Sequence, residues 1–243
     1  MLYGAHGERV GGTCRALSDI FKLDLPAISK DSISDLVYLE IEGHGYYVKR
    51  YISAGKYLRR IFGPSRVRVE WLNLQRFRRW GIPVPAVAVY GVERRAGFFS
   101  RGVLVTEALN RTTDLFTMAQ MRHENLSDRR WVDRIMRQVA RFTRVMHDRF
   151  FAHGDLKWRN ILVRDGAEPQ VYLIDCPGGA YLPPPFLEAR KIKDLACLDK
   201  VAKSHLSRSQ RLKFYLYYRG RKKLTCRDKR HIRRILDYFD GRE

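Results

Sequence analysis

Cysteine is scarce in this chain, and its spacing points to neither metal nor disulfide. The four, Cys14, Cys176, Cys197 and Cys226, form no C-x-x-C pair, and none stands at zinc-ligand spacing with the seven histidines. They read as free thiols of a reducing compartment. Apolar runs are short, and none approaches the ~20 residues that span a bilayer. The opening stretch, Met1-Leu2-Tyr3-Gly4-Ala5-His6-Gly7, has no apolar core of a secretion signal. The expected location is therefore the cytoplasm or the inner surface of a membrane. Repeats and low-complexity tracts are absent too. Acidic residues are few, 26 against 47 Lys and Arg, which leaves a formal net charge of +21. An excess of that size calls for a polyanionic partner or surface: nucleic acid, anionic lipid head groups or phosphorylated glycans.

What is present describes a globular protein. The 243 residues are 45% hydrophobic and 12% aromatic, enough for one large domain or two lobes with a proper core. Residues 1–109 hold 17 Lys and Arg against 10 Asp and Glu, whereas residues 110–243 hold 30 against 16. The excess thus sits mainly in the second part. A merely solvated surface is the plain alternative.

The stretch His153-Gly154-Asp155-Leu156-Lys157-Trp158-Arg159-Asn160-Ile161-Leu162-Val163, followed by Val171-Tyr172-Leu173-Ile174-Asp175, carries the clearest chemistry. An Asp, an Asn five residues on and an Asp closing a hydrophobic run is the spacing of a kinase-type phosphoryl-transfer site. One carboxylate, Asp155, must meet an acceptor hydroxyl. An amide oxygen, Asn160, and a second carboxylate, Asp175, must hold Mg²⁺ against the phosphates of ATP. Ile161–Val163 and Val171–Ile174 read as antiparallel strands joined through Asp165-Gly166, which delivers Asp175 beside Asn160. Taken singly, each of the three is as readily a loop residue, a cap or a turn former. His153 reads as a brace for the loop rather than a chemical group.

Upstream, Val37–Ile41 and Tyr46–Tyr51 are strand-like, with a turn at Glu42-Gly43-His44-Gly45. Lys49 lies near the end of the second strand. The helix expected over Ser65–Trp80 starts after Pro64 and stops at Gly81 before Pro83. It has Val67, Trp71, Leu74 and Phe77 at helical spacing, and Glu70 is its only acid. Glu70 either pairs on the surface with Arg66 or Arg68, or faces inward and holds Lys49 in line with the phosphates. Val84–Val92 and Gly102–Thr106 read as strands around a turn at Arg94–Gly97. Glu107-Ala108-Leu109 then leads into polar residues, as at the hinge of a two-lobed kinase, where backbone groups would meet adenine. Residues 1–35 resist assignment.

Downstream, Ser127–Phe150 is the best helix, capped by Ser127-Asp128, with Trp131, Ile135, Val139, Phe142 and Met146 as its apolar stripe. Pro183-Pro184-Pro185 reads as a stiff extended connector. Lys191–Ser204 reads as a helix whose Asp194 braces the catalytic loop from below, a surface aspartate being the alternative. Residues 207–243 are helical and basic, with 13 Lys and Arg against 4 acids.

In this order the motifs resemble the protein-kinase-like superfamily, and more closely the lipopolysaccharide kinases, bacterial enzymes that phosphorylate heptose or Kdo sugars of the lipopolysaccharide inner core. The stretches that carry the resemblance are YYVKRY, GPSRVRVEWLNLQRFRRWGIPVP, HGDLKWRNILV, VYLIDCPGG and KIKDLACLDKVAKS, spanning about residues 36 to 220. The resemblance implies an α+β, two-lobed protein-kinase-like fold. Residues 1–109 would form a small antiparallel-sheet nucleotide-binding lobe, and residues 110–243 a mainly helical catalytic and acceptor-binding lobe. It implies Asp155 as catalytic base and Lys157 near the γ-phosphate. Lys49 would contact the nucleotide phosphates with Glu70 holding it, and Glu107 and Leu109 would lie at the adenine. Asn160 and Asp175 would be the Mg²⁺ ligands. ATP and Mg²⁺ are the implied cofactors. The implied partners are a lipopolysaccharide core oligosaccharide and the anionic inner face of the bacterial inner membrane, with nucleic acid not expected.

The sequence departs from the kinase pattern in several places. Gly154 stands where H-R-D kinases have Arg, and no A-P-E follows Asp175. Cys176-Pro177 replaces Phe-Gly. No G-x-G-x-x-G is present, and Ser29–Ser34 is the candidate phosphate-covering turn. The competing readings are another kinase-like small-molecule or protein phosphotransferase, and a pseudokinase or polyanion-binding module without activity.

Overall fold

A computed structural model of the chain describes residues 2–3, 8–14, 16–54 and 64–241. Apart from Leu2 and Tyr3, the opening heptapeptide lies outside the described residues. Backbone contacts divide the chain into two units, Met1–Asn110 and Arg111–Glu243.

The first unit is built on one antiparallel sheet. In chain order it comprises β1 (Leu2–Tyr3), α1 (Glu8–Thr13), α2 (Leu17–Lys22), β2 (Ala27–Lys30), β3 (Ser34–Ile41) and β4 (His44–Tyr51). These are followed by α3 (Arg66–Arg79), β5 (Val87–Arg95) and β6 (Phe98–Glu107). The strands lie in the order β1-β5-β6-β4-β3-β2. Two hairpins fix this register. Glu42-Gly43 and Ala96-Gly97 have φ of 51° and 73°, and of 48° and 82°. Two left-handed central residues make the tight turn whose twist matches that of its strands. The turn is therefore shorter than the expected 42–45: His44 and Gly45 already pair with Ile41 and Glu40. The strand expected from Val84 begins only at Val87, because Pro83 and Pro85 have no N–H to give a ladder.

Both faces of the sheet are covered. Val37, Tyr46, Val48, Val89, Val103 and Val105 pack with Val10 of α1, Ile20 of α2 and Cys14 between the two helices. On the other face Val67 and Leu74 of α3 pack with Ile33, Tyr51 and Leu104. Each such buried side chain stabilises by about 1.5–3 kcal/mol. The helices α1 and α2, unassigned from sequence, thus supply a helical cover.

The second unit is mainly helical. It holds β7 (Thr112–Asp114), α4 (Leu115–Gln120), α5 (Arg129–Asp148), β8 (Phe151–Ala152), β9 (Ile161–Arg164) and β10 (Gln170–Leu173). Then come β11 (Ala180–Tyr181), α6 (Pro184–His205), α7 (Arg208–Arg219) and α8 (Cys226–Leu236). The strands form two small sheets, β10-β9-β7 and β11-β8. Asp128 caps α5 by accepting the Arg130 N–H, and the expected stripe from Trp131 to Met146 is buried. Ala140 of α5, Ile192, Leu195 and Ala196 of α6, Tyr215 and Tyr218 of α7 and Ile235 of α8 share one core.

The triproline is not a connector. Pro184 and Pro185 form the first turn of α6, and Pro183 is its cap. Proline's fixed φ suits that turn, and the N–H it lacks would have had no partner inside the helix. All four cysteines are free thiols, with Cys14 and Cys176 buried and Cys226 exposed. Among the described residues no helix is long and apolar enough to cross a membrane.

Candidate active site

In the first unit β4 carries Lys49 and Tyr51, two residues apart and so on one face of the strand. Glu70, on the second turn of α3, is 4% exposed. Lys49 Nζ donates to Glu70 Oε2 at 3.1 Å and to Oε1 at 3.3 Å. The Tyr51 hydroxyl donates to Glu70 Oε2 as well. The Lys49 ammonium lies 5.5 Å from the centre of the Tyr51 ring. Glu70 therefore faces inward, and the surface pairing with Arg66 or Arg68 is not what the helix makes of it. The Ser29–Ser34 stretch is the end of β2, a tight turn and the first residue of β3. Asp31 Oδ1 accepts the Ile33 and Ser34 N–H groups, each at 2.7 Å. Burial raises the Asp31 pKa, but those N–H groups and the Lys49 and Arg66 charges outweigh it, so the carboxyl titrates below its ordinary range. Glu107 closes β6. Its N–H donates to Ala86 O and that of Ala108 to Gly45 O, both at 2.9 Å, and Leu109 follows directly.

In the second unit the loop is suspended from α6. Asp194 is fully buried. Its Oδ2 accepts the His153 N–H and its Oδ1 the Gly154 N–H, each at 2.8 Å. The neighbouring Lys193 Nζ donates to Gly154 O at 2.8 Å. Behind Asp194, His147 Nε2 lies 3.3 Å from Oδ2, and His147 Nδ1 lies 2.9 Å from the Tyr218 hydroxyl. The brace expected of Asp194 is thus made, by side-chain oxygens gripping main chain. Gly154 has φ +80°, and a Cβ there would sit 3.2 Å from Gly178 O. Left-handed backbone and close approach together account for glycine where the H-R-D pattern has arginine.

Beyond the anchor the loop presents its side chains. Asp155 Oδ2 lies 2.8 Å from Lys157 Nζ. Asn160, buried, donates its Nδ2 to Asp155 O at 2.8 Å and to Oδ2 at 3.2 Å. The Ile174 N–H donates to Asn160 O at 3.1 Å, which brings the end of the β9–β10 hairpin against the loop. Asp175 follows at φ +57°, a conformation that aspartate tolerates better than most residues. The buried His153 ring registers the convergence: burial pushes its proton affinity down, while Asp194, Asp155 and Asp175 push it up. The structure thus gathers Asp155, Lys157, Asn160 and Asp175 in one unit, and Lys49 with Glu70 in the other.

The donor set fits Mg²⁺. Asn160 turns its Nδ2 towards Asp155, its amide oxygen is a hard donor, and Asp175 supplies a carboxylate. Hard oxygens in that number suit an ion that keeps water and takes phosphate oxygens. Tyr51, His147, Lys193 and Tyr218 went unread in the sequence. The two-residue offset from Lys49 was the available signal for Tyr51, and adjacency to Asp194 the one for Lys193. The His147–Tyr218 contact spans 71 residues, and no spacing announces it.

The chain shares its fold with a solved structure. It superposes on a solved WaaP in complex with acyl carrier protein with a TM-score of 0.69, at 21% identity, over 91% of this chain and 89% of that one. A vaccinia related kinase 3 structure aligns over 66% of this chain and 49% of its own, at 16% identity and a TM-score of 0.45. The chain belongs to the lipopolysaccharide kinase (Kdo/WaaP) family, whose sequence model matches residues 35–221. A 3-deoxy-D-manno-octulosonic acid kinase of Actinobacillus succinogenes (strain ATCC 55618 / DSM 22257 / CCUG 43843 / 130Z) is 33% identical over 108 residues, 44% of this chain and 42% of that protein. The match thus spans less than half the length of that curated relative.

Proposed function

We propose that this chain is an ATP-dependent kinase that phosphorylates a sugar hydroxyl, of heptose or Kdo, in the lipopolysaccharide inner core. The observation that carries the reading is the Asp155–Asn160 loop suspended from Asp194, within a chain of the Kdo/WaaP family. Asp155 aligns the acceptor hydroxyl and takes its proton as that oxygen attacks the γ-phosphorus and the bond to ADP breaks. Lys157, paired with Asp155, brings a positive charge to the transferring group. Asn160 and Asp175 would hold Mg²⁺, which would neutralise and orient phosphate charge. Glu70 and Tyr51 fix the Lys49 ammonium for the α- and β-phosphates. Backbone groups of Glu107 and Leu109 meet the adenine. Residues 1–109 serve the nucleotide, and residues 110–243 serve catalysis and the acceptor. These roles are mainly positional and electrostatic, as a loose phosphoryl transition state requires.

A net charge of +21 supports peripheral attachment to the anionic inner face of the bacterial inner membrane, where a lipid-linked acceptor resides. The missing A-P-E segment weighs against a protein substrate, and the complete set of catalytic residue types weighs against a pseudokinase. The test is mass spectrometry of lipopolysaccharide core from a strain lacking the gene. The expected result is loss of one core phosphate, restored by the wild-type gene and not by Asp155→Asn. An unchanged core would overturn the reading.

A further inference from the structure

The last helix, α8, carries a charge pattern that the catalytic residues do not use. Its 11 residues, Cys226–Leu236, include the cations Arg227, Lys229, Arg230, Arg233 and Arg234. All of these are exposed. At about 100° of turn per residue they share one arc of about 160°. The buried Asp228 and Ile235 lie on the opposite side of the helix. Asp228 is the acid of α8, and acids return past its end, at Asp237 and Asp240. Among the described residues none of these cations has a side-chain hydrogen bond or an ion pair.

The inner face of α8 fixes this orientation. Asp228 accepts the Thr225 N–H at 2.9 Å, the Thr225 hydroxyl at 2.7 Å and Arg219 Nε at 2.9 Å. Ile235 belongs to the core shared with α5, α6 and α7, and Ile232 packs against that core. The apolar side of the helix is therefore committed inside the protein. The outer arc presents charge rather than apolar surface, so a partner there is held by charge and is not penetrated.

The shape of the array selects the partner. A small anion needs donors that converge on it, whereas these cations diverge over a convex rod about 16 Å long. A broad anionic surface meets several of them at once. Exposed charges act within a Debye length, about 8–10 Å at physiological ionic strength, so a local face counts for more than the charge of the whole chain. Each Lys or Arg that near an anionic bilayer strengthens adsorption about five-fold. The arc carries no aromatic ring on which a nucleic-acid base would stack, which favours lipid over single-stranded nucleic acid.

We propose that the outer arc of α8 is a docking face for anionic phospholipid, which holds the enzyme at the bilayer surface by charge and without insertion. The inference rests on the proposed function, whose acceptor is lipid-linked, and adds which face of the chain turns to the membrane.

The test is co-sedimentation of the full chain with vesicles of phosphatidylcholine, with and without phosphatidylglycerol, at low and high salt. The wild type should bind only the anionic vesicles, and high salt should release it. Arg227→Gln, Arg230→Gln and Arg234→Gln, combined in one variant, should weaken binding about 100-fold with Tm unchanged. Lysine at the same positions should keep binding within about three-fold, because a bilayer reads charge rather than fork geometry. A control that loses equal charge from α5, Arg129→Gln with Arg130→Gln and Arg141→Gln, should also stay within about three-fold. For lipopolysaccharide core lipid embedded in the anionic vesicles, the α8 glutamine variant should raise KM about ten-fold or more. For deacylated core oligosaccharide its kcat and KM should stay within about two-fold of wild type. Equal losses in the α5 and α8 glutamine variants would make attachment a matter of net charge and overturn the face. Loss in the lysine variant would mark a shaped phosphate site and overturn it as well. Salt-sensitive binding to duplex DNA or RNA without binding to anionic vesicles would assign the arc to nucleic acid, again overturning it. Vesicle binding through α8 by a protein that leaves deacylated oligosaccharide unphosphorylated would overturn the proposed function and support the docking face.

Discussion

The Lys49–Glu70 clasp in Met1–Asn110 and the Asp155 loop in Arg111–Glu243 are held by opposite means. The clasp joins side chain to side chain: an ammonium, a buried carboxylate and one hydroxyl. The loop is gripped by its main chain, with Asp194 taking two N–H groups and Lys193 one carbonyl. In the roles proposed above, a lysine that follows flexible phosphates is served by a long, clasped side chain, and a base that meets one hydroxyl by an immobilised backbone. The difference predicts where each region breaks, and how badly.

Removing the loop's anchor should do the most damage. Asp194→Ala leaves two buried N–H groups and the His147 ring without their carboxylate, and should lower stability by about 3–5 kcal/mol. Thermal unfolding measures that loss, and transfer activity should vanish with it. Breaking the clasp should be gentler on the fold and harder on the chemistry. Glu70→Gln should cost about 1–2 kcal/mol and reduce kcat/KM for ATP about 10–100-fold. An effect within about two-fold would place Lys49 outside nucleotide binding.

The two hydroxyls behind these anchors sharpen the contrast. Tyr51→Phe and Tyr218→Phe each remove one hydrogen bond and should each cost about 1 kcal/mol. Tyr51→Phe should act mainly on the KM for ATP. Tyr218→Phe, two contacts behind the loop, should act mainly on kcat.

The smallest effect lies away from both regions. Asp133 is half-buried on α5, and burial raises its pKa. Hydrogen bonds from Lys213, Arg137 and Tyr217 outweigh that and lower it to about 2. A carboxyl depressed in the folded state stabilises above its unfolded pKa, near 3.8, and loses that stabilisation as pH falls towards 2. Asp133→Asn should therefore cost about 1 kcal/mol at pH 7, solvent screening included, and almost nothing at pH 2. Urea unfolding at the two pH values separates these outcomes.

Legibility in the sequence followed the range of the interaction. The β9–β10 hairpin, the α5 stripe and the order of Asp155, Lys157 and Asn160 are patterns local in sequence, and their spacing announces them, although the loop itself hangs from Asp194 of α6. The Lys49–Glu70 pair was readable because a strand lysine and a lone helix acid are each conspicuous. Residues 8–22 were not, because two helices of six residues are too short to display a stripe. The triproline was misread because proline fits an extended connector and a first helical turn equally well, and only the packing of Leu187 and Ile192 decides. The Tyr218–His147–Asp194 chain joins α7, α5 and α6, and exists only once those helices have packed.

Phosphoryl transfer by Asp155→Asn, measured in single turnover alongside its affinity for Mg-ATP, tests the central assignment most directly. The expected result is a transfer rate about 10²–10⁴ lower, with nucleotide affinity within about three-fold of wild type. Transfer at nearly the wild-type rate would contradict it.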